Sequence, residues 1–141
     1  GVLSETEVAA LYEIGIESVA NHHSLETRAL LTMLTKDVEP AVIREIKDLS
    51  EVAGRIENAA LNRRIETFNL LLEELLLRHD ALKASYEEAM ALAGYEQAAY
   101  FQHEILPAFG HIRKICDELE SMISRENWRI PTYEDIFTKL V

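Results

Sequence analysis

Five histidines and one cysteine are the side chains in this sequence best suited to metal or nucleophilic chemistry. His22 and Glu26 are four positions apart, so they can share one face of a helix with His23 beside them, and a metal site is conceivable. The Glu-x-x-His pairs of carboxylate di-iron bundles are absent, because no histidine has a glutamate three positions before it. We therefore interpret His22 and His23 as polar residues at a helix junction. His79, at an apolar seam position, is interpreted as a hydrogen-bonded core residue.

Other catalytic signatures are also missing. Cys116 lies among apolar residues and is expected to act as a small buried hydrophobe, and a single cysteine is typical of a reducing compartment. The sequence contains neither a glycine-rich phosphate loop nor a Gly-x-Ser-x-Gly elbow. Its paired glutamates fall beside apolar seams, as on solvated helix surfaces. We expect no catalytic, cofactor-binding or metal-binding residue in this chain.

Size and charge restrict the class of protein further. The 141 residues fit one domain, predicted to span 1–141, and the 48% apolar and 28% charged residues are typical of a soluble globular chain. With 14 basic and 25 acidic residues the net charge is −11, which disfavours nucleic acid and anionic membranes as partners. The cluster of Lys47, Arg55, Arg63 and Arg64 is too small to suggest RNA or DNA. No apolar run long enough to span a membrane and no signal peptide occurs, so we expect a cytoplasmic protein.

Helical periodicity dominates, and strands have almost no place in the pattern. The sequence predicts an all-α bundle of about four long helices over 4–124, followed by an aromatic tail over 125–141. The first helix starts at Glu5 behind a Ser4–Glu7 capping box. It either breaks at Asn21–Ser24 or runs through. The four segments are expected to cover 5 to about 20, 25 to about 53, 61–93 and 95 to about 124, with Gly54 and Gly94 at helix ends.

Two prolines fall inside predicted helices. Pro40 and Pro107 each lack an amide donor, and the ring of each would clash with the preceding turn, so we predict a kink at both. The sequence around them is similar: Asp37-Val38-Glu39-Pro40-Ala41-Val42 and Glu104-Ile105-Leu106-Pro107-Ala108-Phe109. This similarity indicates either two helices bent in the same way or a chance echo.

Apolar seams define the predicted core. The first helix should turn Val8, Leu11, Tyr12, Gly15 and Val19 inward, and the third and fourth segments follow heptad-like seams. Leu70, Leu71, Leu76 and Leu77 broaden the third segment beyond its seam, so they are candidate contacts with a neighbouring domain or subunit. Aromatic and proline residues of the tail are the other candidate docking residues: Trp128, Pro131, Tyr133 and Phe137. Thr132 and Asp135 are spaced to cap a short terminal helix.

Three stretches of the sequence carry a family resemblance. The first joins Leu11-Tyr12-Glu13-Ile14 to Leu25-Glu26-Thr27-Arg28-Ala29-Leu30-Leu31-Thr32-Met33, and the second is Asp37-Val38-Glu39-Pro40-Ala41. The third is Trp128-Arg129-Ile130-Pro131-Thr132-Tyr133-Glu134-Asp135-Ile136-Phe137. Together they resemble the C-terminal region of type III glutamine synthetases, the long-chain bacterial class. Arg129 departs from the proline that the family's closing motif has at that point, and Glu39 replaces an apolar residue.

The resemblance implies a structural and assembly domain at the C-terminal end of an ATP-dependent glutamate-ammonia ligase. ATP and Mg²⁺ or Mn²⁺ would bind the parent enzyme, whose catalytic domain would be the partner within the same polypeptide, and the intact enzyme would be a homo-oligomer. The first residues, Gly-Val-Leu, fit processing or a piece of a longer chain. One alternative is a free-standing helical adaptor or oligomerisation module. Another is a metal-dependent bundle enzyme that uses His22 and Glu26.

Overall fold

A computed structural model describes residues 4–130 of the chain. Within that range every regular element is helical and there is no strand, so the all-α prediction is confirmed. The elements form three uninterrupted helical stretches. The first comprises α1 (Glu5–Met33), a π-helical segment π1 (Leu34–Val38) and α2 (Glu39–Ala53); the second is α3 (Ala59–Ala91); the third comprises α4 (Gly94–Tyr100), a π-helical segment π2 (Phe101–Ile105) and α5 (Leu106–Met122).

The predicted number of about four long helices is wrong, because the first two predicted helices form one continuous helical stretch. Each of residues 21–24 is less favourable in a helix than alanine by only about a few tenths of a kcal/mol. Contacts that this segment makes in the folded chain offset that cost. The Ser24 hydroxyl lies 3.0 Å from the Tyr86 hydroxyl, and the His23 ring packs 6.1 Å from the Phe101 ring. Thr27 donates its hydroxyl to the His23 carbonyl at 2.7 Å. The helix therefore passes through the predicted junction.

Each proline follows a π-helical turn, and the helical stretch continues past it. The Glu39 amide donates to the Leu34 carbonyl, five residues back, and the Leu106 amide donates in the same way to Phe101. A wide turn immediately before a proline relieves the clash of its ring with the preceding carbonyls without ending the helix. Each π segment ends two residues before its proline, so the sequence echo corresponds to the same local geometry.

Helix ends follow the predicted breakers. α2 ends at Ala53 with Gly54 as its C-cap, and the Asn58 side chain accepts a hydrogen bond from the Leu61 amide at 2.9 Å to start α3. Gly94 has φ +58°, the left-handed conformation that favours glycine, and it is the first residue of α4, three positions after α3 ends at Ala91. The capping box is also present, with Ser4 and Glu7 bonding each other's amides at 3.2 and 3.0 Å.

The described residues divide into two compact units, each with its own core. The first unit combines 4–31 with Leu77–Arg113, and the second combines Thr32–Leu76 with 114–130. Most of the predicted seam residues of the third and fourth segments are buried or half-buried. The largest fully buried apolar side chains are Leu82, Phe101, Ile105 and Ile112 in the first unit, and Leu34, Phe68, Leu75 and Leu119 in the second.

Candidate interaction surfaces

The N-terminal half of α1 presents an apolar face to solvent. Val8, Leu11, Tyr12 and Val19 recur at helical spacing, and each is 51–62% exposed. This corrects the expected inner stripe: the spacing placed the residues on one face, but no other described residue covers that face. A shallow open depression on it is lined by Glu5, Val8, Ala9 and Tyr12. We call this apolar surface the α1 face.

The first half of α1 is strongly acidic. Glu5, Glu7, Glu13 and Glu17 are all exposed, and no lysine or arginine precedes Arg28. Glu7 caps the helix. No cationic group of the described residues lies within 4 Å of the carboxylates of Glu5, Glu13 or Glu17. Two of the glutamates lie in the first turn, where the helix dipole favours negative charge. Successive residues of a helix are rotated by about 100°, so Glu13 and Glu17 lie on the side of α1 opposite Val8 and Val19, away from the apolar face.

A second exposed surface lies where α2 ends and α3 begins. Val52 and Ile56 are 47% and 52% exposed, and the Ile56 amide donates to the Val52 carbonyl at 3.2 Å. Arg55 in this turn and Arg63 and Arg64 on α3 are exposed. Residues 52–65 carry these three arginines and one glutamate, a local charge of 3 − 1 = +2 in a chain of net charge −11. We call residues 52–65 the α2–α3 corner.

The arginines of the α2–α3 corner are unpaired within the described part of the chain. No carboxylate of residues 4–130 lies within 4 Å of the guanidinium groups of Arg55, Arg63 or Arg64. α3 also has no acidic residue in its first turn, although negative charge would stabilise that helix end. Within residues 4–130 the three arginines of the corner therefore have no anionic partner.

The surplus leucines of α3 differ in exposure. Leu70 is 58% exposed, Leu76 40% and Leu77 64%, as expected of residues beyond the seam. Leu71 is 9% exposed and belongs to the core of the second unit. Leu70 and Leu77 are seven positions apart, two turns of the same helix, so they project to the same side.

The residues that follow α5 are held by a polar cluster that the sequence analysis missed. The Asn127 side-chain nitrogen donates to Glu45 at 2.7 Å and to Asp48 at 2.9 Å, and the Ser124 hydroxyl donates to Glu45 at 2.9 Å. Arg44 donates to the Asn127 carbonyl at 3.2 Å. The helical spacing of Arg44, Glu45 and Asp48 is a weak indication that these side chains lie near one another on α2. It does not identify a partner about 80 positions away in the sequence.

Trp128 is the one tail residue among the predicted docking residues that the structure describes. Its side chain is half-buried, its amide donates to the Ser124 carbonyl at 3.0 Å, and its indole nitrogen is buried without a hydrogen-bond partner among the described residues. Pro131, Tyr133 and Phe137, and the predicted cap at Thr132 and Asp135, lie outside the described residues.

The conceivable metal ligands share a helical face. His22 Nε2 lies 2.8 Å from Glu26 Oε1, and His23 Nδ1 lies 3.7 Å from the other oxygen of that carboxylate. Across residues 4–130 no group of three or more histidine, cysteine, aspartate or glutamate side chains is arranged to hold a metal ion. His79 is half-buried on α3.

Among the described residues, the pKa values of Cys116 and Tyr100 are raised. Burial raises the pKa of the Cys116 thiol to about 11, with smaller contributions from the negative charges of Asp117 and Glu120. The thiol is therefore protonated at neutral pH and is a poor nucleophile. Tyr100 donates its hydroxyl to Glu88 at 2.6 Å, and this hydrogen bond raises its pKa, with burial adding to the effect.

Comparison with known proteins gives consistent matches. A family described as the glutamine synthetase C-terminal domain matches residues 1–58. A glutamine synthetase of Butyrivibrio fibrisolvens is 23% identical over 99% of this chain and 21% of its own length; one of Bacteroides fragilis is 25% identical over 98% and 21%. The type-3 glutamine synthetase of Dictyostelium discoideum is 22% identical over 96% of this chain and 20% of its own.

These matches confirm the resemblance carried by the three sequence motifs. The chain spans about a fifth of the length of the curated relatives it matches. No solved structure matches it. Among the described residues no helix is both long and apolar enough to cross a membrane.

Proposed function

We propose that this chain, a relative of the C-terminal domain of type III glutamine synthetases, is the structural and assembly domain of such an enzyme. It packs against the catalytic domain of the same polypeptide and helps to set how subunits assemble into a homo-oligomer. The ATP-dependent ligation of ammonia to glutamate belongs to the whole enzyme. The residues of this chain contribute contacts to it and no chemical step.

The exposed leucines of α3 carry the proposal. Leu70 and Leu77 lie on one side of the helix and are more than half exposed. Fully burying a leucine gains about 1.5–3 kcal/mol, so covering both would contribute several kcal/mol to docking. The other candidate contacts are Leu76, the half-buried Trp128, and the tail residues Pro131, Tyr133 and Phe137.

The similarity to glutamine synthetases also supports the remaining parts of the proposal. ATP and Mg²⁺ or Mn²⁺ are proposed for the catalytic domain of the parent enzyme, and a cytoplasmic location is proposed for the whole. A bacterial source is a further part of the proposal, although one of the relatives comes from Dictyostelium discoideum.

Binding in trans tests the docking role. The 141-residue chain is titrated into the separately produced catalytic body encoded in frame upstream of Gly1, and binding is followed by calorimetry. We expect a complex that Leu70→Asp with Leu77→Asp weakens at least tenfold, since two charges would enter an apolar contact. Ile43→Asp is the matched control, because Ile43 is 53% exposed on α2 and should leave binding unchanged.

Two results would overturn the docking role. One is a start codon immediately before Val2 with no upstream body, which would favour the free-standing adaptor. The other is a folded body and a folded chain that do not bind each other.

A further inference from the structure

The first four turns of α1 lack cover from any other described residue. The Ser24 hydroxyl lies 3.0 Å from the Tyr86 hydroxyl, and α3 ends five positions after Tyr86, at Ala91. Residues 4–19 include no buried residue, and Ala20 is the first buried residue of α1. About 22 Å of helix, at 1.5 Å per residue, is therefore uncovered. A single helix of this length is only marginally stable in water, so a partner that packs along it would stabilise it.

The exposed residues at the centre of the α1 face have heptad spacing. Val8, Tyr12, Gly15 and Val19 are separated by four, three and four positions, so they form one row along the helix. Val8 and Val19 are each 51% exposed and Tyr12 is 62% exposed. Such a row is typical of a helix that packs lengthwise against another helix. The geometry of the α1 face therefore calls for a helical partner.

The same row on a second copy of this chain complements the first when the two helices run antiparallel. The register that puts Val8 opposite Val19 of the second copy also puts Tyr12 opposite Gly15. Gly15 has no atom within 4 Å of the position that a Cβ would occupy, so it leaves a notch for the tyrosine ring. We propose that the α1 faces of two copies pack antiparallel, with Tyr12 of each copy over Gly15 of the other.

Gly15 supports this occupant of the α1 face. Glycine inside a helix is less favourable than alanine, and no described residue approaches Gly15 closely enough to require it. Antiparallel pairing supplies both the bulky side chain and the notch from one sequence. Both copies use the same residues, so the contact is isologous and closes at two copies. The inference deepens the proposed assembly role by naming the residues through which copies meet, and it rests on that role.

The glutamates of α1 do not oppose the contact. At about 100° per residue, Glu7, Glu13 and Glu17 lie about 100° or more around the helix from the row, so they do not face one another across the pair. The same register puts Glu5 opposite His22 of the second copy. The His22 side chain is 70% exposed, so that end of the row is open to a second helix. Beyond about 8 Å, physiological salt screens the general repulsion between two acidic chains.

Cysteine pairing tests the register. Every chain carries Cys116→Ala, one variant adds Val8→Cys and another adds Val19→Cys. In the proposed pair position 8 lies beside position 19 of the second copy, whereas the two copies of position 8 are eleven residues apart, about 16 Å along the helices. That separation is too long for a disulfide. An equimolar mixture should therefore form a disulfide-linked dimer at least about tenfold faster than either variant alone.

Sedimentation equilibrium over a dilution series measures the strength of the contact. Tyr12→Glu should weaken self-association at least about tenfold, because a charge then enters an apolar contact from each copy. Ile14→Glu is the matched control, since Ile14 is 61% exposed but lies on another side of α1. Its association should stay within about twofold of that of the parent chain. Circular dichroism verifies that every variant is helical.

The proposal predicts a parent-chain dimer that dissociates on dilution. It is overturned if the parent chain is monomeric at every concentration, or if Ile14→Glu weakens association as much as Tyr12→Glu does. It is equally overturned if either cysteine variant alone cross-links as fast as the mixture.

Binding to the catalytic body, measured at dilutions where the chain is monomeric, separates this proposal from the docking role. If the body binds and the binding depends on Leu70 and Leu77, the docking role stands even where the α1 pairing fails. If Tyr12→Glu abolishes binding to the body, the body covers the α1 face, and the pairing of two copies is wrong.

Discussion

The side-chain nitrogen of Asn127 lies 2.7 Å from Oε2 of Glu45, across 82 positions of sequence. Both residues are more than nine-tenths buried, at 8% and 7% exposure. The amide completes its second hydrogen bond on Asp48, and Ser124 shares the same Glu45 oxygen. Because a buried carboxylate is costly unless hydrogen-bonded, this cluster fixes the residues after α5 against α2.

Replacing Asn127 by alanine should destabilise the protein. The change removes two donors from neighbouring carboxylates and leaves Glu45 with the Ser124 hydroxyl as its remaining donor in the cluster, so we expect a loss of about 1–3 kcal/mol. Urea unfolding followed by circular dichroism measures it. Asn62→Ala, an exposed asparagine on α3, is the control. If both variants unfold at the same urea concentration, the cluster does not hold the end of the chain.

Two leucines of α3, one buried and one exposed, allow the stability contributions of a core and a surface side chain to be compared. Leu75 is fully buried and Leu77 is 64% exposed. Leu75→Ala should cost about 2–5 kcal/mol because it opens a cavity, while Leu77→Ala should stay within about 0.5 kcal/mol. Thermal unfolding of both variants measures the difference. A large loss for Leu77→Ala would mean that this face is covered within the chain and is not available to a partner.

Two glycines should respond in opposite directions to alanine. Gly94 has φ +58°, so Gly94→Ala should cost about 1–2 kcal/mol through backbone strain even though open space surrounds the new methyl group. Gly110 lies within α5 with nothing near its Cβ position, so Gly110→Ala should stabilise by up to about 1 kcal/mol. Denaturant unfolding gives both values, and equal signs would contradict the assigned backbone conformation.

Cys116 provides a pH-dependent prediction at a single site. Burial raises its pKa from 9.0 to about 11, so at neutral pH iodoacetamide should alkylate the folded protein at least about tenfold more slowly than the urea-unfolded protein. The unfolded chain loses the thiol proton first as pH rises. The contribution of the protonated Cys116 thiol to the free energy of unfolding is therefore complete below about pH 9 and is lost between pH 9 and 11. Rapid alkylation of the folded protein at neutral pH would show that the thiol is exposed or activated.

Local patterns predicted most of the helices but not how they join or which faces they bury. The caps at Ser4 and the glycine at 94 act within one turn, so sequence was sufficient there. The continuity through Asn21–Ser24 depends on Tyr86 and Phe101, which are distant in sequence. Periodicity placed Val8 and Tyr12 on one face correctly, but it cannot tell whether that face meets the same chain or another molecule. The Asn127–Glu45 contact was missed for the same reason.

Glutamine formation, measured in three parallel reactions, tests the central claim most directly. The reactions contain the 141-residue chain alone, the catalytic body lacking these residues, and the two together, each with ATP, Mg²⁺, glutamate and ammonia. We expect no glutamine from the chain alone and a higher rate from the mixture than from the body alone, because the chain supports assembly without contributing a reacting group. Glutamine formation by the chain alone, or a mixture no more active than the body, would contradict the account.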